Sequence, residues 1–194
     1  MPKLSDAGRP GEVPKPGTYK ARVVGFIDLG TQDVEFEGKK SQQRKCTIEW
    51  ALDMIKGKSI RSDGKPFIVG QRLTYSPSER GTFRKILKRA WGITTSDFDV
   101  EELIGKEATL SIIHDEDGKF ANIAKYDDDG VMKATGKPTL PKQLVTRVLS
   151  LDETFDQDVF DSLSDKTKAT IMMSPEYDKI HAKGKSKPAK KKGK

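Results

Sequence analysis

TYKARVVGFIDL, the segment Thr18–Leu29, sets the architecture predicted for this chain. Apolar and polar residues alternate along most of it, and a period of two is typical of a strand that turns one face to a core. The inward face is predicted to carry Tyr19, Ala21, Val23, Ile27 and Leu29. The outward face is predicted to carry Lys20, Arg22, Phe26 and Asp28. The segment therefore predicts a long, half-buried first strand with an exposed aromatic ring beside two cations.

Two more strands are predicted directly after the first. Residues 30–43 are polar and rich in glycine and lysine, which predicts a basic hairpin loop. The run Arg44–Met54 carries apolar side chains at period two, and Pro66–Ser76 repeats that pattern after a polar loop over residues 56–65. Three successive antiparallel strands are therefore expected.

A helix and two final strands complete the pattern. Apolar residues recur at helical spacing at Phe83, Ile86, Leu87, Ala90 and Trp91, and Gly92 ends this pattern. After a short acidic helix over Val100–Ile104, the strands Ala108–His114 and Phe120–Tyr126 flank an Asp-Gly tight turn. This order predicts a mainly β fold, a five-stranded OB-fold barrel with one helix between strands three and four.

The same pattern sets the predicted domain limits. Proline and glycine crowd the N-terminal residues, and the C-terminal end is a mixture of lysine, glycine and proline that cannot bury a core. The predicted parts are a flexible leader over residues 1–17, the OB-fold domain over 18–126, a linker over 127–143, a helical appendage over 144–181 and a disordered Lys-rich tail over 182–194.

The excess positive charge lies in the tail. The formal net charge is +7, and the seven lysines from Lys183 onward account for all of it. The rest of the chain is neutral overall, so a nucleic-acid surface on it has to be a local patch. Cys46 is the only cysteine, which excludes an intrachain disulfide and a thiolate metal site.

No membrane or secretion segment is expected. No apolar run approaches the roughly 18 residues of a membrane span, and the N-terminus lacks the layout of a signal peptide. The sequence predicts a soluble cytoplasmic protein with no membrane partner, located in the host cytoplasm if the chain is phage-encoded.

Five blocks of the sequence carry a family resemblance. They read PGTYKARVVGFIDLGTQ, QRKCTIEW, LTYSPSERGTFRKILKRAWGIT, IGKEATLSIIHDEDGKFANIA and FDQDVFDSLSDKTKATIMMSPEY. Together they resemble the tailed-bacteriophage OB-fold single-stranded DNA-binding proteins. The resemblance implies DNA binding without sequence preference in support of phage DNA replication or recombination, with phage or host replication or recombination proteins as further partners.

One feature departs from that class of protein. Many of its members end in an acidic tail that recruits partners, whereas this chain ends in lysines. Its acidic residues lie inside the predicted appendage instead, at Asp152, Glu153, Asp156, Asp158, Asp161 and Asp165.

Single-stranded DNA binding needs cations along a groove and aromatic faces on which bases stack. The first strand offers both, the basic hairpin offers further cations, and two aromatic residues on the second and third strands are either core or stacking platforms. Ordinary solvated charge is the alternative for the hairpin, and a ring covered by the linker or the appendage is the alternative for Phe26. The predicted DNA-binding residues are Lys20, Arg22, Phe26, Lys39, Lys40, Arg44, Lys45, Trp50, Arg72, Tyr75, Lys119 and Lys125.

Catalytic chemistry finds little support in the sequence. The segment Gly130–Lys137 resembles a phosphate loop but has five residues between its glycines where four are needed. His114 and His181 are too few for a metal cluster or a catalytic base with its partner. We therefore expect no enzymatic activity, no cofactor and no metal. Two other functions remain open, an adaptor that recruits proteins through its acidic helices and an RNA-binding OB protein.

Overall fold

The computed structural model describes residues 12–184 except positions 96 and 153. Within them the protein is mainly β, with a sheet of seven strands and four α-helices. The strands are β1 Gly17–Phe36, β2 Lys39–Leu52, β3 Ile68–Thr74, β4 Glu107–His114, β5 Ala121–Ile123, β6 Val131–Lys133 and β7 Arg147–Leu149. The helices are α1 Thr82–Trp91, α2 Gln157–Ser162, α3 Asp165–Met172 and α4 Pro175–Gly184, with 3-10 turns at Val100–Leu103 and Tyr126–Asp128. The mainly β class and a helix between the third and fourth strands are confirmed.

The central strand of the sheet is β1. One edge pairs antiparallel with β2, and the other pairs with β4 over Gly17–Arg22 and then, in parallel, with β7 over Gly25–Ile27. The strand order is β3-β2-β1-β4-β5, with β6 paired to β4. Among the described residues no ladder joins β3 to β5, so the sheet is open. The closed five-stranded barrel is not confirmed.

The first two strands form one long hairpin. The prediction of a loop over residues 30–43 is wrong, because β1 continues to Phe36 and β2 begins at Lys39. Glu37 and Gly38 connect them with φ values of 51° and 75°, as a two-residue type I′ turn requires. We call the two-stranded ribbon over residues 31–44 the arm.

A β-bulge in β1 reverses the expected orientation of Phe26. Val23 lies opposite Trp50 and Gly25 lies opposite Glu49, so Val24 is an extra residue without a partner on β2. One extra residue moves the side chains that follow it to the other face of the strand, here as far as a second register shift between Asp28 and Gly30. Phe26 therefore shares the inward face with Val23 and is only 1% exposed. The prediction that Phe26 faces outward is wrong.

The first hydrophobic core lies between the inward face of the sheet and α1. Phe26 packs against Phe83 of α1, with ring centres 6.4 Å apart. Trp50 is fully buried and stacks on Trp91 at 5.8 Å. Of the two readings open for Trp50, core or stacking platform, the structure supports the core.

A second core lies on the opposite face of β1. Ile27 and Leu29 pack there against residues of β7 and the C-terminal helices, namely Leu149, Leu151, Phe160, Leu163 and Ile171. We call residues 147–184 the C-terminal module. It is packed on the central strand, so the helical appendage of the prediction shares a core with the sheet.

The predicted linker over residues 127–143 contains regular structure. Its β6 pairs with β4, and Thr135 hydrogen-bonds to the hydroxyl of Thr109 at 3.0 Å. Thr139 donates its N–H to Asp53 at 2.6 Å. The segment thus runs over the sheet on its way to β7.

The predicted leader and the predicted tail lie partly outside the described residues. The leader residues 1–11 and the tail residues 185–194 belong there, as does Glu153 of the acidic set. The described end of the leader is attached to the domain. Lys15 donates its N–H to the Lys58 carbonyl at 3.0 Å, and a ring nitrogen of His114 lies 2.7 Å from the Pro14 carbonyl oxygen.

A buried ion pair joins the C-terminal module to the sheet. Arg147 on β7 makes two hydrogen bonds to Glu49 on β2, from Nε at 2.7 Å and from Nη2 at 2.5 Å. Both side chains cross β1 at Gly25, where an added Cβ would overlap Glu49 Oε2. A glycine is therefore required there because its missing side chain leaves room for the carboxylate.

We expect Gly25→Ala to lower the free energy of unfolding by about 2–4 kcal/mol, because the methyl group must displace a buried, paired carboxylate. The measurement is urea denaturation followed by circular dichroism. Gly70→Ala on β3 is the matched control, since its Cβ would meet only Thr47 Cγ2 at 3.3 Å. The control should change stability by less than about 1 kcal/mol, and equal losses in the two variants would contradict this account.

Candidate nucleic-acid interface

An open groove of about 700 Å³ lies on the outward face of β2 and β3, where β3 leads into α1. Lys45 and Arg72 line it because they alternate with Cys46 and Leu73, which are buried. The remaining lining comes from the strands, from the loop before α1 and from the first residue of α1, at Gln43, Leu73, Thr74, Ser76, Ser78, Arg80, Gly81 and Thr82. The surface is rich in hydroxyl groups and cations.

Lys45 is held at the groove by neutral acceptors. Its ammonium donates to Gln43 Oε1 at 2.7 Å and to Thr74 Oγ1 at 2.8 Å. Burial and the neighbouring Arg72 lower the pKa of Lys45 below its ordinary value. An ammonium group has three donors, and two are used here. The arrangement suits an anion, which would supply the missing acceptor and offset the repulsion by Arg72.

The other groove cations lack a compensating charge. Neither the Arg72 nor the Arg80 side chain forms a hydrogen bond or ion pair with another described residue, and the described lining of the groove contains no carboxylate. The helix α1 also starts there, and its N-cap Gly81 provides no side-chain cap. Lys45, Arg72 and Arg80 therefore concentrate positive potential in one groove.

Two exposed aromatic rings lie at hairpin turns. Phe36 at the end of the arm is 75% exposed, and Phe120 after the β4–β5 turn is 66% exposed. Phe36 pairs across the arm with Lys39, and Phe120 follows Lys119. Large aromatic side chains exposed to this extent beside lysines are suited to stacking on unpaired bases.

Phe36 and Phe120 were not predicted as binding residues. The alternation of Val34 and Phe36 up to the Glu37-Gly38 turn is the signal that could have extended β1 into the arm. Phe120 lies two residues after Gly118 of the predicted tight turn, where a side chain is commonly solvent-exposed.

The structure brings some predicted cations together. Lys45 and Arg72 share the groove, and Lys39 and Lys40 lie exposed at the end of the arm. Lys119 and Lys125 are also exposed. Lys119 forms an ion pair of 3.3 Å with Asp117, which at this exposure contributes little.

The two cations of β1 lie against neighbouring parts of the chain, and Arg22 is paired. Arg22 Nη2 donates to Glu107 Oε1 at 2.7 Å. The ammonium of Lys20 lies against Gly136, where an added Cβ would be 3.2 Å from Nζ. With Phe26 in the core, β1 does not carry the exposed track of cations and aromatic ring that the sequence predicted.

Arg44 and Tyr75 belong to a structural cluster. Arg44 binds both Asp28 and Asp152, with 2.7 Å from Nη1 to the Asp152 carboxylate. Burial alone would lower the pKa of Arg44, but these two carboxylates raise it above its ordinary value. The Tyr75 ring lies 5.5 Å from the Arg44 guanidinium and 5.4 Å from the Phe83 ring. A half-buried ring packed in this way is part of the core edge.

The described residues contain no cluster of three or more His, Cys, Asp or Glu side chains that could hold a metal ion. In the same part of the chain, no helix is both long and apolar enough to cross a membrane.

Comparison with known proteins adds no assignment. No family model matches the chain, and the searches of curated proteins and of solved structures give no match either. The resemblance to phage single-stranded DNA-binding proteins stays a prediction, and function has to be inferred from the site itself.

We expect Arg72→Gln to raise the pKa of Lys45 towards its ordinary value, because one of the two causes that lower it is removed while burial remains. An NMR titration of the lysine side-chain nitrogen measures this shift. Arg80→Gln is the control and should leave the Lys45 titration unchanged. A Lys45 pKa that does not respond to Arg72→Gln would mean that burial alone sets it.

Proposed function

We propose that this protein binds single-stranded DNA without sequence preference. The observation that carries the proposal is the groove of Lys45, Arg72 and Arg80, whose cations have no carboxylate partner among the described residues. Phosphates bound there would neutralise these cations and displace their counterions. The side chains involved recognise the backbone, so they carry no base preference.

The exposed rings favour a single strand over a duplex. Phe36 and Phe120 offer aromatic faces at two separate hairpin turns. Bases inside a duplex are already stacked on each other and have no free face for such rings. Every unpaired base has one, so stacking is tolerant of sequence.

We also propose that the open sheet is curved into a partly open barrel of the OB type. The strand order, the position of α1 between β3 and β4, and the core enclosed by β1–β4 and α1 support this architecture. In an OB fold nucleic acid binds to the face of strands two and three and to the loops between strands one and two and between strands four and five. The groove and the two exposed rings correspond to those places.

A non-enzymatic role in phage DNA replication or recombination is part of the same proposal and rests on the sequence resemblance.

The combined variant Lys45→Gln, Arg72→Gln should weaken binding to a fluorescein-labelled oligothymidylate by about tenfold or more at low salt. If each cation neutralises one phosphate, the slope of log affinity against log salt should also fall by about 1.4. Fluorescence anisotropy at several salt concentrations measures both quantities.

The matched control is Lys56→Gln, Lys58→Gln, which removes the same charge at the opposite end of β2. The affinity of this control for the oligonucleotide should change much less, because those lysines lie in the β2–β3 loop and do not line the groove. Equal losses in the two double variants would show that net charge, and not the groove, determines binding. Competition by a matched oligouridylate in the same assay tests the RNA-binding alternative.

Phe36→Ala and Phe120→Ala should each weaken oligothymidylate binding by about 1–3 kcal/mol, the contribution of one base stack. Their melting temperatures should stay close to wild type because both rings are largely exposed. Phe36→Leu and Phe120→Leu are the controls, since they keep an apolar side chain and remove the aromatic face. Leucine variants that bind like wild type would contradict stacking and point to simple apolar contact.

A further inference from the structure

The arm leaves the sheet at one cross-strand pair. Thr31 on β1 lies directly opposite Arg44 on β2. Beyond this pair, residues 33–42 make no hydrogen bond or ion pair outside the arm with any described residue, and their side chains are linked by the Gln42–Asp33 bond of 3.1 Å. The direction of the arm is therefore determined at its base.

The C-terminal module holds the β1 side of that base. Glu176 of α4 accepts hydrogen bonds from the Thr31 N–H at 2.8 Å and from the Thr31 hydroxyl at 2.7 Å. Gln32 donates to the carbonyl of Thr170 at 3.0 Å. At Gly30 an added Cβ would overlap Ser174, so α4 approaches the strand closely there.

The same module holds the β2 side. Arg44 binds Asp152 at 2.7 Å and the buried Asp28. Asp28 in turn accepts the N–H of Gly30 at 2.9 Å and that of Leu151 at 3.3 Å. Two carboxylates of the C-terminal module, Asp152 and Glu176, thus bind the two members of one cross-strand pair.

Glu176 is ionised where it performs this role. Burial alone would raise its pKa, but the two hydrogen bonds from Thr31 outweigh burial and hold the pKa below its ordinary value. A charged acceptor forms stronger hydrogen bonds than a neutral one.

We infer that the C-terminal module is a clamp that fixes the arm in its DNA-binding direction, with Asp152 and Glu176 as positioning residues. This inference rests on the proposed function, because a fixed arm matters to affinity only if Phe36 and the arm lysines contact DNA. A ribbon released at its base would sample many directions and bind in only some of them. Apparent affinity falls in proportion to the fraction of time spent in the binding direction.

The test compares Asp152→Asn, Glu176→Ala with a control that changes the same charge in the same module. Asp158→Asn, Asp178→Ala is that control, since both carboxylates are exposed and make no side-chain contact with the arm. Both variants lose two negative charges, which favours DNA binding to the same extent in each. The difference between their affinities therefore measures the effect of the clamp contacts. Oligothymidylate affinity is measured by fluorescence anisotropy.

A second readout measures the arm itself. Glu35→Cys is introduced in every variant and carries a nitroxide label on the arm. Cys46 is protected from labelling because it is buried and burial raises the pKa of its thiol. The clamp variant should show a more mobile label and an affinity about threefold to tenfold below the control. If this double variant does not fold, Asp152→Asn against Asp158→Asn gives the same comparison at an exposed carboxylate.

The outcomes separate the two proposals. A mobile label with reduced affinity supports the clamp. An unchanged label, or a mobile label with the affinity of the control, overturns it while leaving DNA binding in place. If the wild-type protein does not bind oligothymidylate, the proposed function fails and the clamp's role in binding fails with it, whereas a label mobilised only in the clamp variant would still establish the mechanical contact.

Discussion

The structure depends on one strand that is buried on both of its faces. From Val23 to Leu29, β1 packs against α1 on one side and against the C-terminal module on the other. The bulge at Val24 makes this possible because it changes which side chains face each layer. Before the bulge the strand supports a single core, and after it two cores share the same backbone. The groove on β2 and β3 lies outside both layers, which is why its outward side chains stay accessible.

The buried pair of Glu49 and Arg147 determines where the second layer docks. Removing two charges from water is costly, and such a pair is often no more stable than well-packed apolar residues. Its geometry is nevertheless selective, because a bidentate contact over a glycine can form in only one register of β7 on β1. An apolar contact at that point would tolerate a slipped strand. We therefore interpret the pair as a device that specifies the docking of the C-terminal module.

The sequence predicted what depends on regular alternation and missed what depends on distant partners. Arg72 was predicted correctly as an outward cation because it alternates with buried residues on an uninterrupted strand, and Lys45, predicted as a cation of the hairpin, lies on the outward face of β2 for the same reason. Phe26 was misplaced because nothing in Val-Val-Gly marks a bulge, and one added residue reverses the face. Residues 30–43 were predicted as a loop because they are rich in charges and glycines, but the turn at Gly38 stabilises two paired strands there. Arg44 was predicted as a DNA-binding cation because its partner Asp152 is distant in the sequence and becomes its neighbour only in the folded second layer.

The distribution of paired and unpaired charges argues for a site more strongly than net charge does. Outside the tail lysines the chain is neutral overall, so it carries as many acidic as basic groups. The structure uses acids at specific places, where Asp28 and Asp152 bind Arg44, Glu107 binds Arg22, and Glu49 binds Arg147. Each such pair removes one cation from any binding surface. Folding thereby produces a local excess at Lys45, Arg72 and Arg80 from a neutral composition, because no carboxylate is among the described residues that line their groove. A cationic groove obtained in this way has a short range in physiological salt, so under the proposed function it would attract only a phosphate backbone that is already close to the β2–β3 face.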